Sequence, residues 1–250
     1  MLDLLLPQRC VVCGCSGTQL CAVCRDELQR IEPPLCARCG APTAWPVERC
    51  RECTGRRLAF ASARAAVAYD AAARRLVHAW KERGLRRLAA ETAQLVAERL
   101  PAPEVEALTF VPADRGRRLD RGHNPAERLA LELAVRWELP CLPLLERTRG
   151  GRQRGSSAVE RRTVRGSFRA TGAAPRKVVV IDDVYTTGAT AAAAASALRA
   201  AGRGGGVRTR ASSWIDTDAV GCGAIRVRSR HRQRQGRRRC SFTSRARTSR

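Results

Sequence analysis

The sequence predicts an α/β protein in three parts: a small cysteine-rich module, a parallel sheet flanked by helices, and an arginine-rich C-terminal tail. Nine of the twelve cysteines lie within the first 53 residues. A run of four β-branched residues at 178–181 is followed by a loop and an alanine-rich segment, which is typical of a parallel α/β unit. After residue 202 the chain holds 14 arginines and only two acidic residues. We therefore place the domains at 1–58, 59–202 and 203–250.

Composition and charge exclude several classes of protein. The 250 residues carry 47 basic and 23 acidic side chains, and the 44% hydrophobic content argues against wholesale disorder. No apolar run approaches the roughly 18 residues that would span a membrane, and the start lacks the basic region of a secretory signal. We therefore expect a cytoplasmic protein without a membrane span. Arginine bias also follows from a GC-rich genome, so the net charge of +24 indicates a nucleic-acid partner only weakly.

Eight of the cysteines form four Cys-x-x-Cys pairs. The pairs are Cys10/Cys13, Cys21/Cys24, Cys36/Cys39 and Cys50/Cys53. Each such turn places two thiolates on one side of a metal, and two turns complete a tetrahedral shell that zinc usually fills. We therefore predict two structural Zn²⁺ sites. The spacing leaves open whether consecutive or interleaved pairs share an ion, and Cys15 is a spare thiol beside the first site.

Disulfides and a redox motif are the alternatives for these cysteines. Disulfides fit poorly with a chain that lacks an export signal, and a thioredoxin-like site needs only one pair. A segment of this size cannot bury a sufficient core, whereas structural zinc supplies about 10–16 kcal/mol of apparent binding free energy in such peptides. A closed four-thiolate site has no open position for water, so we expect no catalysis there.

The pattern that follows predicts strands and helices in alternation. Residues 62–69 resemble a short strand, and residues 71–100 have helical spacing that is interrupted at Gly84. Residues 107–111 form a run typical of a buried strand.

A further helix begins with a strong start signal. Asn124 is a suitable N-cap and Pro125 suits the first helical position. Leu129, Leu133 and Trp137 then form one apolar stripe, which we interpret as core.

Two arginine-rich loops flank this helix. Residues 115–122 lead into its N-terminus, a combination that can hold an anion, although solvated arginine loops are common. Residues 146–167 are long and rich in Arg, Gly and Ser, which fits either a binding loop or a solvated linker.

Residues 178–190 read Val-Val-Val-Ile-Asp-Asp-Val-Tyr-Thr-Thr-Gly-Ala-Thr, and an alanine-rich helix over 191–201 follows. Ligands of open α/β sheets bind where strands end and helices begin. Backbone N–H groups and threonine hydroxyls at a helix start suit a phosphate monoester. The two carboxylates would repel that phosphate, so we expect them to face hydroxyls or a metal.

This string resembles the phosphoribosyl-diphosphate (PRPP) binding motif of type I phosphoribosyltransferases. Together with the cysteine pairs, it makes residues 1–202 resemble the ComF family of competence-associated proteins. The family resemblance implies a double zinc ribbon followed by a type I phosphoribosyltransferase-like domain. Further matching segments lie at 4–7, 81–84, 121–124, 153–156, 160–162 and 164–166.

The resemblance also implies roles for individual residues. Asp182 and Asp183 would be the catalytic pair that binds the ribose 2- and 3-hydroxyls, directly or through Mg²⁺. The 5-phosphate would be held by Thr186, Thr187, Gly188, Ala189 and Thr190. The pyrophosphate would face Arg117, Arg121 and Lys81.

The implied function is that of a PRPP-binding phosphoribosyltransferase-like protein in competence or DNA uptake, with an unknown acceptor. Residues 147–165 would be the hood that closes over PRPP. The alternatives are a single-stranded DNA handling factor that grips phosphates through its ribbons and arginine loops, and a non-catalytic PRPP or nucleotide sensor. Aromatic residues are only 4% of the chain, which argues against a base-stacking platform.

The sequence departs from the family at several positions. Pro125 stands where the family has Gln, His123 replaces an aromatic residue, and Thr163 stands where Asn is common. The family's sheet also needs an apolar strand after Gly202, and none is present in 203–211. We therefore expect residues 203–250 to be disordered or to be translated from a shifted reading frame.

Overall fold

The computed structural model describes residues 8–114, 122–148 and 166–203. Several predictions fall outside these ranges. They concern Arg117 and Arg121, most of the hood at 147–165, and the tail after residue 203.

Five helices and four strands are described. The helices are α1 (Ala22–Asp26), α2 (Ala71–Glu82), α3 (Leu88–Arg99), α4 (Pro125–Trp137) and α5 (Ala189–Arg203). The strands are β1 (Ala107–Phe110), β2 (Leu145–Arg147), β3 (Phe168–Ala170) and β4 (Val178–Ile181). The predicted α/β class, with helices and a small parallel sheet, is confirmed.

The predicted helical stretch is two helices, and the break falls where the sequence placed it. The Asp70 carboxylate caps α2 by accepting a hydrogen bond from the Ala73 amide over 2.8 Å. The chain leaves α2 at Arg83 and turns at Gly84, whose φ of +66° is unfavourable for any residue with a Cβ. Within α2, the side chains of Leu76 and Trp80 are completely buried in the core.

Strands β1 and β4 form a small parallel sheet, with Ala107 opposite Val178 and Phe110 opposite Ile181. All eight residues are buried, as expected for a parallel pair that is covered on both faces. A parallel bridge between Leu108 and Cys141 extends the sheet beyond β1. Helix α4 packs on β1 and β4, and α5 packs on β4 and on the β2–β3 pair.

The start of α4 is fixed to the end of β1. The Asn124 side chain accepts a hydrogen bond from the Ala126 amide over 3.2 Å and donates one to the Val111 carbonyl over 3.1 Å. The cap therefore positions the helix as well as satisfying its first turn. The predicted apolar stripe of α4 is buried against the sheet.

Two sequence predictions are corrected. Residues 62–69 form no regular strand: Val67 makes a single bridge with Arg30, and the Ala68 amide bonds to the Gln29 carbonyl over 2.8 Å. The start of the second loop is strand β2, which pairs antiparallel with β3. Residues 67–68 thus pair with residues 29–30, which lie between the two cysteine groups, rather than with a strand of the sheet. A three-residue strand such as β2 is too short to show alternation.

The cysteine-rich module and the α/β body share one continuous core. Leu20 and Leu28 of the module belong to the same buried cluster as Trp80 and Leu198 of the body. Within the three described ranges, no helix combines the length and apolar character that crossing a membrane requires.

The packing of α4 gives a matched test of this core. We expect Leu133→Ala to lower the free energy of unfolding by about 2–5 kcal/mol, because Leu133 is fully buried. Val135→Ala on the same helix removes a side chain that is 78% exposed, so we expect a change within about 0.5 kcal/mol. Urea denaturation measures both, and equal losses would contradict the described orientation of α4.

Candidate metal centres and phosphate site

The eight paired cysteines form two groups in space. Within each group, all sulfur atoms lie within 4.8 Å of one another. The first group, here the first zinc site, is Cys10, Cys13, Cys21 and Cys24; the second zinc site is Cys36, Cys39, Cys50 and Cys53. Consecutive pairs therefore share a site, which decides between the two arrangements that the spacing left open.

The distances between sulfur atoms fit a tetrahedral zinc ion. Zinc–sulfur bonds of about 2.3 Å place the sulfurs of a tetrahedron roughly 3.8 Å apart. The Sγ–Sγ distance is 3.7 Å for Cys13 and Cys21, and 3.6 Å for Cys36 and Cys53. These thiols are free, and their separations far exceed the roughly 2.05 Å of a disulfide bond. The donor set and its size both suit structural zinc.

The backbone and the neighbouring thiols have opposite effects on ionisation. Burial opposes ionisation of Cys36, but the amides of Cys39 and Cys50 outweigh it and lower the Cys36 pKa to about 7. Burial, followed by the three other thiols of the first site, raises the pKa of Cys24. Four thiolates at this spacing repel one another, so their joint ionisation requires a cation between them.

The second site lies against the segment that leads into the α/β body. Gly40 has a φ of +69°, and a Cβ there would lie 2.1 Å from the Ala63 carbonyl oxygen. The Arg64 guanidinium donates to the Ala37 carbonyl over 3.2 Å. Only glycine permits this close approach, which fixes the second ribbon to residues 63–64.

The two candidate catalytic carboxylates follow directly after β4. The Asp183 amide donates to Asp182 Oδ1 over 2.9 Å. Lys81, in the last turn of α2, places its Nζ 2.7 Å from Asp183 Oδ1. The exposed fractions of these two side chains are only 22% and 14%, so solvent screens the pair weakly. The structure thus brings Lys81 to the carboxylates.

The environment of this pair changes the ionisation of one of its two carboxyl groups. Burial raises the pKa of Asp182 to about 7, the charge of Asp183 adds to the effect, and Lys81 opposes it. Asp182 can therefore hold a proton near neutral pH while Asp183 is paired with the ammonium. One group that can donate and one that accepts is a suitable pair for neighbouring hydroxyls.

Residues 185–190, here called the phosphate loop after the role that the resemblance implies, run from these carboxylates into the first two residues of α5. Thr186 and Thr187 are exposed, whereas Gly188 is buried with a φ of +70°. A Cβ on Gly188 would lie 2.6 Å from the Tyr185 hydroxyl oxygen. Helix α5 begins at Ala189, whose amide donates to Thr187 Oγ1 over 3.4 Å. The first amides of a helix have no partner within it and favour an anion.

Arg56 also lies beside this loop, and sequence reasoning missed it. Arg56 follows the second zinc site, and its Nη2 donates a hydrogen bond to the Thr187 carbonyl. The two residues are 131 positions apart, so no local pattern could have paired them.

A cavity of about 820 Å³ opens beside the carboxyl end of β1. Phe110, Asn124 and Leu145 contribute to its lining, together with the ion pair in which Arg169 lies 2.5 Å from Glu146. The Val111 amide bonds to the Ile181 carbonyl over 2.9 Å, so this end of β1 adjoins the strand that carries the carboxylates.

Comparison with known proteins supports the N-terminal assignment. A family model described as a double zinc ribbon domain matches residues 1–54. No curated protein gives a significant match to this chain. The match and the two cysteine groups agree on an N-terminal module that binds zinc.

The two sites predict a definite metal content. We expect the purified full chain to hold two zinc ions, and Cys21→Ser/Cys24→Ser to hold one, because each site needs its own four thiolates. Cys15→Ser should keep both ions, since Cys15 is outside both groups. Elemental analysis by mass spectrometry measures zinc per chain. A zinc ion lost from Cys15→Ser would contradict the assigned ligands.

Proposed function

We propose that this chain is a PRPP-binding, phosphoribosyltransferase-like protein of the ComF type that acts in competence or DNA uptake. The observation that carries the proposal is the arrangement at the end of β4. Two carboxylates and a Thr/Gly loop follow one another there in a strand–loop–helix unit, and the ammonium of Lys81 reaches the carboxylates from α2. Its chemistry is complementary to a sugar that carries hydroxyls and a terminal phosphate.

The phosphate loop supports recognition of the 5-phosphate. Thr186 and Thr187 offer hydroxyl donors, and the amides of Gly188, Ala189 and Thr190 lie at the positive end of the α5 dipole. In this proposal these five residues surround the phosphate oxygens. The close packing of Tyr185 on Gly188 leaves no space for a larger residue at the turn.

The carboxylates support recognition of the ribose. Asp182 and Asp183 would exchange hydrogen bonds with the 2- and 3-hydroxyls, which carry no charge to repel them. Lys81 neutralises Asp183 in the free protein and is free to bind a diphosphate oxygen once hydroxyls contact the carboxylate. Arg117 and Arg121 remain proposed contacts of the pyrophosphate.

The two adjacent carboxylates also suit Mg²⁺ that arrives with a diphosphate, since this ion commonly takes one or two carboxylates together with phosphate oxygens. When bound, the ion would neutralise charge on the leaving diphosphate. Of the described residues, only the cysteines form groups of three or more candidate metal ligands. The site would therefore depend on ligand oxygens to complete the coordination of Mg²⁺.

The proposed reaction is attack of an acceptor nucleophile on the anomeric carbon of PRPP. The bond to the diphosphate breaks with its electron pair leaving on oxygen, through an oxocarbenium-like state. The protein contributes position and charge to this step, because no side chain need bond to the sugar. The cavity beside β1 has space for a small acceptor next to the sheet edge.

Binding of PRPP with Mg²⁺ tests this proposal by isothermal titration calorimetry. We expect wild-type protein to bind, and Asp182→Ala/Asp183→Ala to bind at least about tenfold more weakly, because charged hydrogen bonds to the hydroxyls are lost. Glu104→Gln, an exposed carboxylate remote from this site in sequence, is the matched control and should bind as wild type. Absence of heat with wild-type protein would refute the proposal. Pyrophosphate release with a panel of acceptors separates a transferase from a sensor.

Single-stranded DNA is a second candidate ligand, and an exposed aromatic residue favours it. Trp45 in the second ribbon is 68% exposed, and Arg49 and Arg51 follow it closely. Base stacking on one aromatic side chain contributes about 1–3 kcal/mol. We expect Trp45→Ala to weaken binding of an oligonucleotide about tenfold in fluorescence anisotropy, with an affinity that falls steeply as salt rises. An affinity for the oligonucleotide that changes neither with salt nor with Trp45→Ala would exclude this candidate.

A further inference from the structure

The second ribbon contacts the phosphate loop directly through Arg56. This residue lies three positions after Cys53, the last ligand of the second zinc site, and its amide bonds to the Cys53 carbonyl over 3.2 Å. Its guanidinium donates to the Thr187 carbonyl. The backbone of the phosphate loop is thus linked to a zinc ligand through one side chain.

A second contact runs through the aromatic rings of Phe60 and Tyr185. The rings meet edge to face, with centroids 6.3 Å apart and planes at 65°. Phe60 is fully buried, and the Arg38 guanidinium lies 6.0 Å from its ring centroid. Arg38 stands between two ligands of the second zinc site, and its Nη2 donates to the Leu58 carbonyl over 2.7 Å. The zinc knuckle therefore holds the ring that supports Tyr185.

Tyr185 packs closely on the turn at Gly188, where a Cβ would lie 2.6 Å from the tyrosine hydroxyl oxygen. The second ribbon thus contacts the phosphate loop at two points, through Tyr185 at its start and Thr187 at its centre.

The first ribbon contacts a different part of the body. Arg25 pairs with Glu98 of α3 over 2.5 Å, and Arg75 of α2 donates to the Val12 carbonyl over 3.0 Å. The two zinc sites therefore differ in their described contacts, and one serves as the control for the other.

We infer that the second zinc ribbon is a positioning element of the phosphate loop, with Arg56 as its positioning residue. Loss of metal from the second site unfolds the segment that holds Arg38, Arg56 and Phe60, since ribbons of this size fold only around their ion. Affinity for a sugar phosphate then depends on the second zinc site and not on the first. The inference rests on the proposed function for the ligand, while the positioning itself is measurable without one.

Hydrogen exchange of the loop amides at 185–190 tests the positioning in full-length, zinc-loaded protein. We expect Arg56→Met to accelerate exchange about tenfold, because a hydrogen bond from a charged donor is lost. Arg57→Met removes an adjacent exposed arginine and should leave exchange unchanged. Cys50→Ser/Cys53→Ser should accelerate it further, and Cys21→Ser/Cys24→Ser should not. Equal exchange in Arg56→Met and Arg57→Met would overturn the inference, and this comparison keeps every zinc ligand in place.

Binding of ribose 5-phosphate by calorimetry separates this inference from the proposed function. We expect about tenfold weaker binding by Arg56→Met and partial recovery in Arg56→Lys, which keeps a donor for the Thr187 carbonyl. If wild type binds neither this ligand nor PRPP while the exchange pattern holds, the proposed function fails and the positioning stands. If wild type and Arg56→Met bind equally and exchange equally, the positioning fails and the proposed function stands.

Discussion

Mutual repulsion among four neighbouring thiolates is the constraint on which the rest of this structure depends. Each cysteine group draws its sulfurs within 4.8 Å, where they ionise together only around a cation. A ribbon of this size has little apolar surface of its own, so the metal takes the place of a core. Once folded, both ribbons add buried cysteines to the core of the α/β body, and the module also adds Leu20 and Leu28.

The sheet edge is the second organising feature. Parallel strands β1 and β4 end side by side, so the chemistry that follows each strand collects at one place. The Asp182–Asp183 pair would be costly there without compensation, and Lys81 supplies that compensation from a helix that belongs to another part of the chain. The phosphate loop begins at Tyr185, two residues after Asp183.

Features with local causes were predictable from the sequence. The spacing of the cysteines predicted two metal sites but not which pairs share one, and the cap at Asn124 with its apolar stripe predicted α4. The family resemblance placed Lys81 at the site, but neither its pairing with Asp183 nor the contact of Arg56 was predicted, because each joins residues far apart in the chain. The strand predicted over 62–69 was wrong, because residues 67–68 pair with residues 29–30 in a single bridge and not with a strand of the sheet. Strand β2 was missed because three residues carry too little pattern.

In the proposed function, a phosphate loop supported by the second zinc ribbon holds a phosphorylated sugar. A crystal structure of the zinc-loaded full chain with ribose 5-phosphate would locate the phosphate group. We expect the phosphate within hydrogen-bond distance of the Gly188 and Ala189 amides, with Arg56 still bonded to the Thr187 carbonyl. Phosphate bound elsewhere, such as in the cavity beside β1, with the loop unoccupied, would contradict the claim.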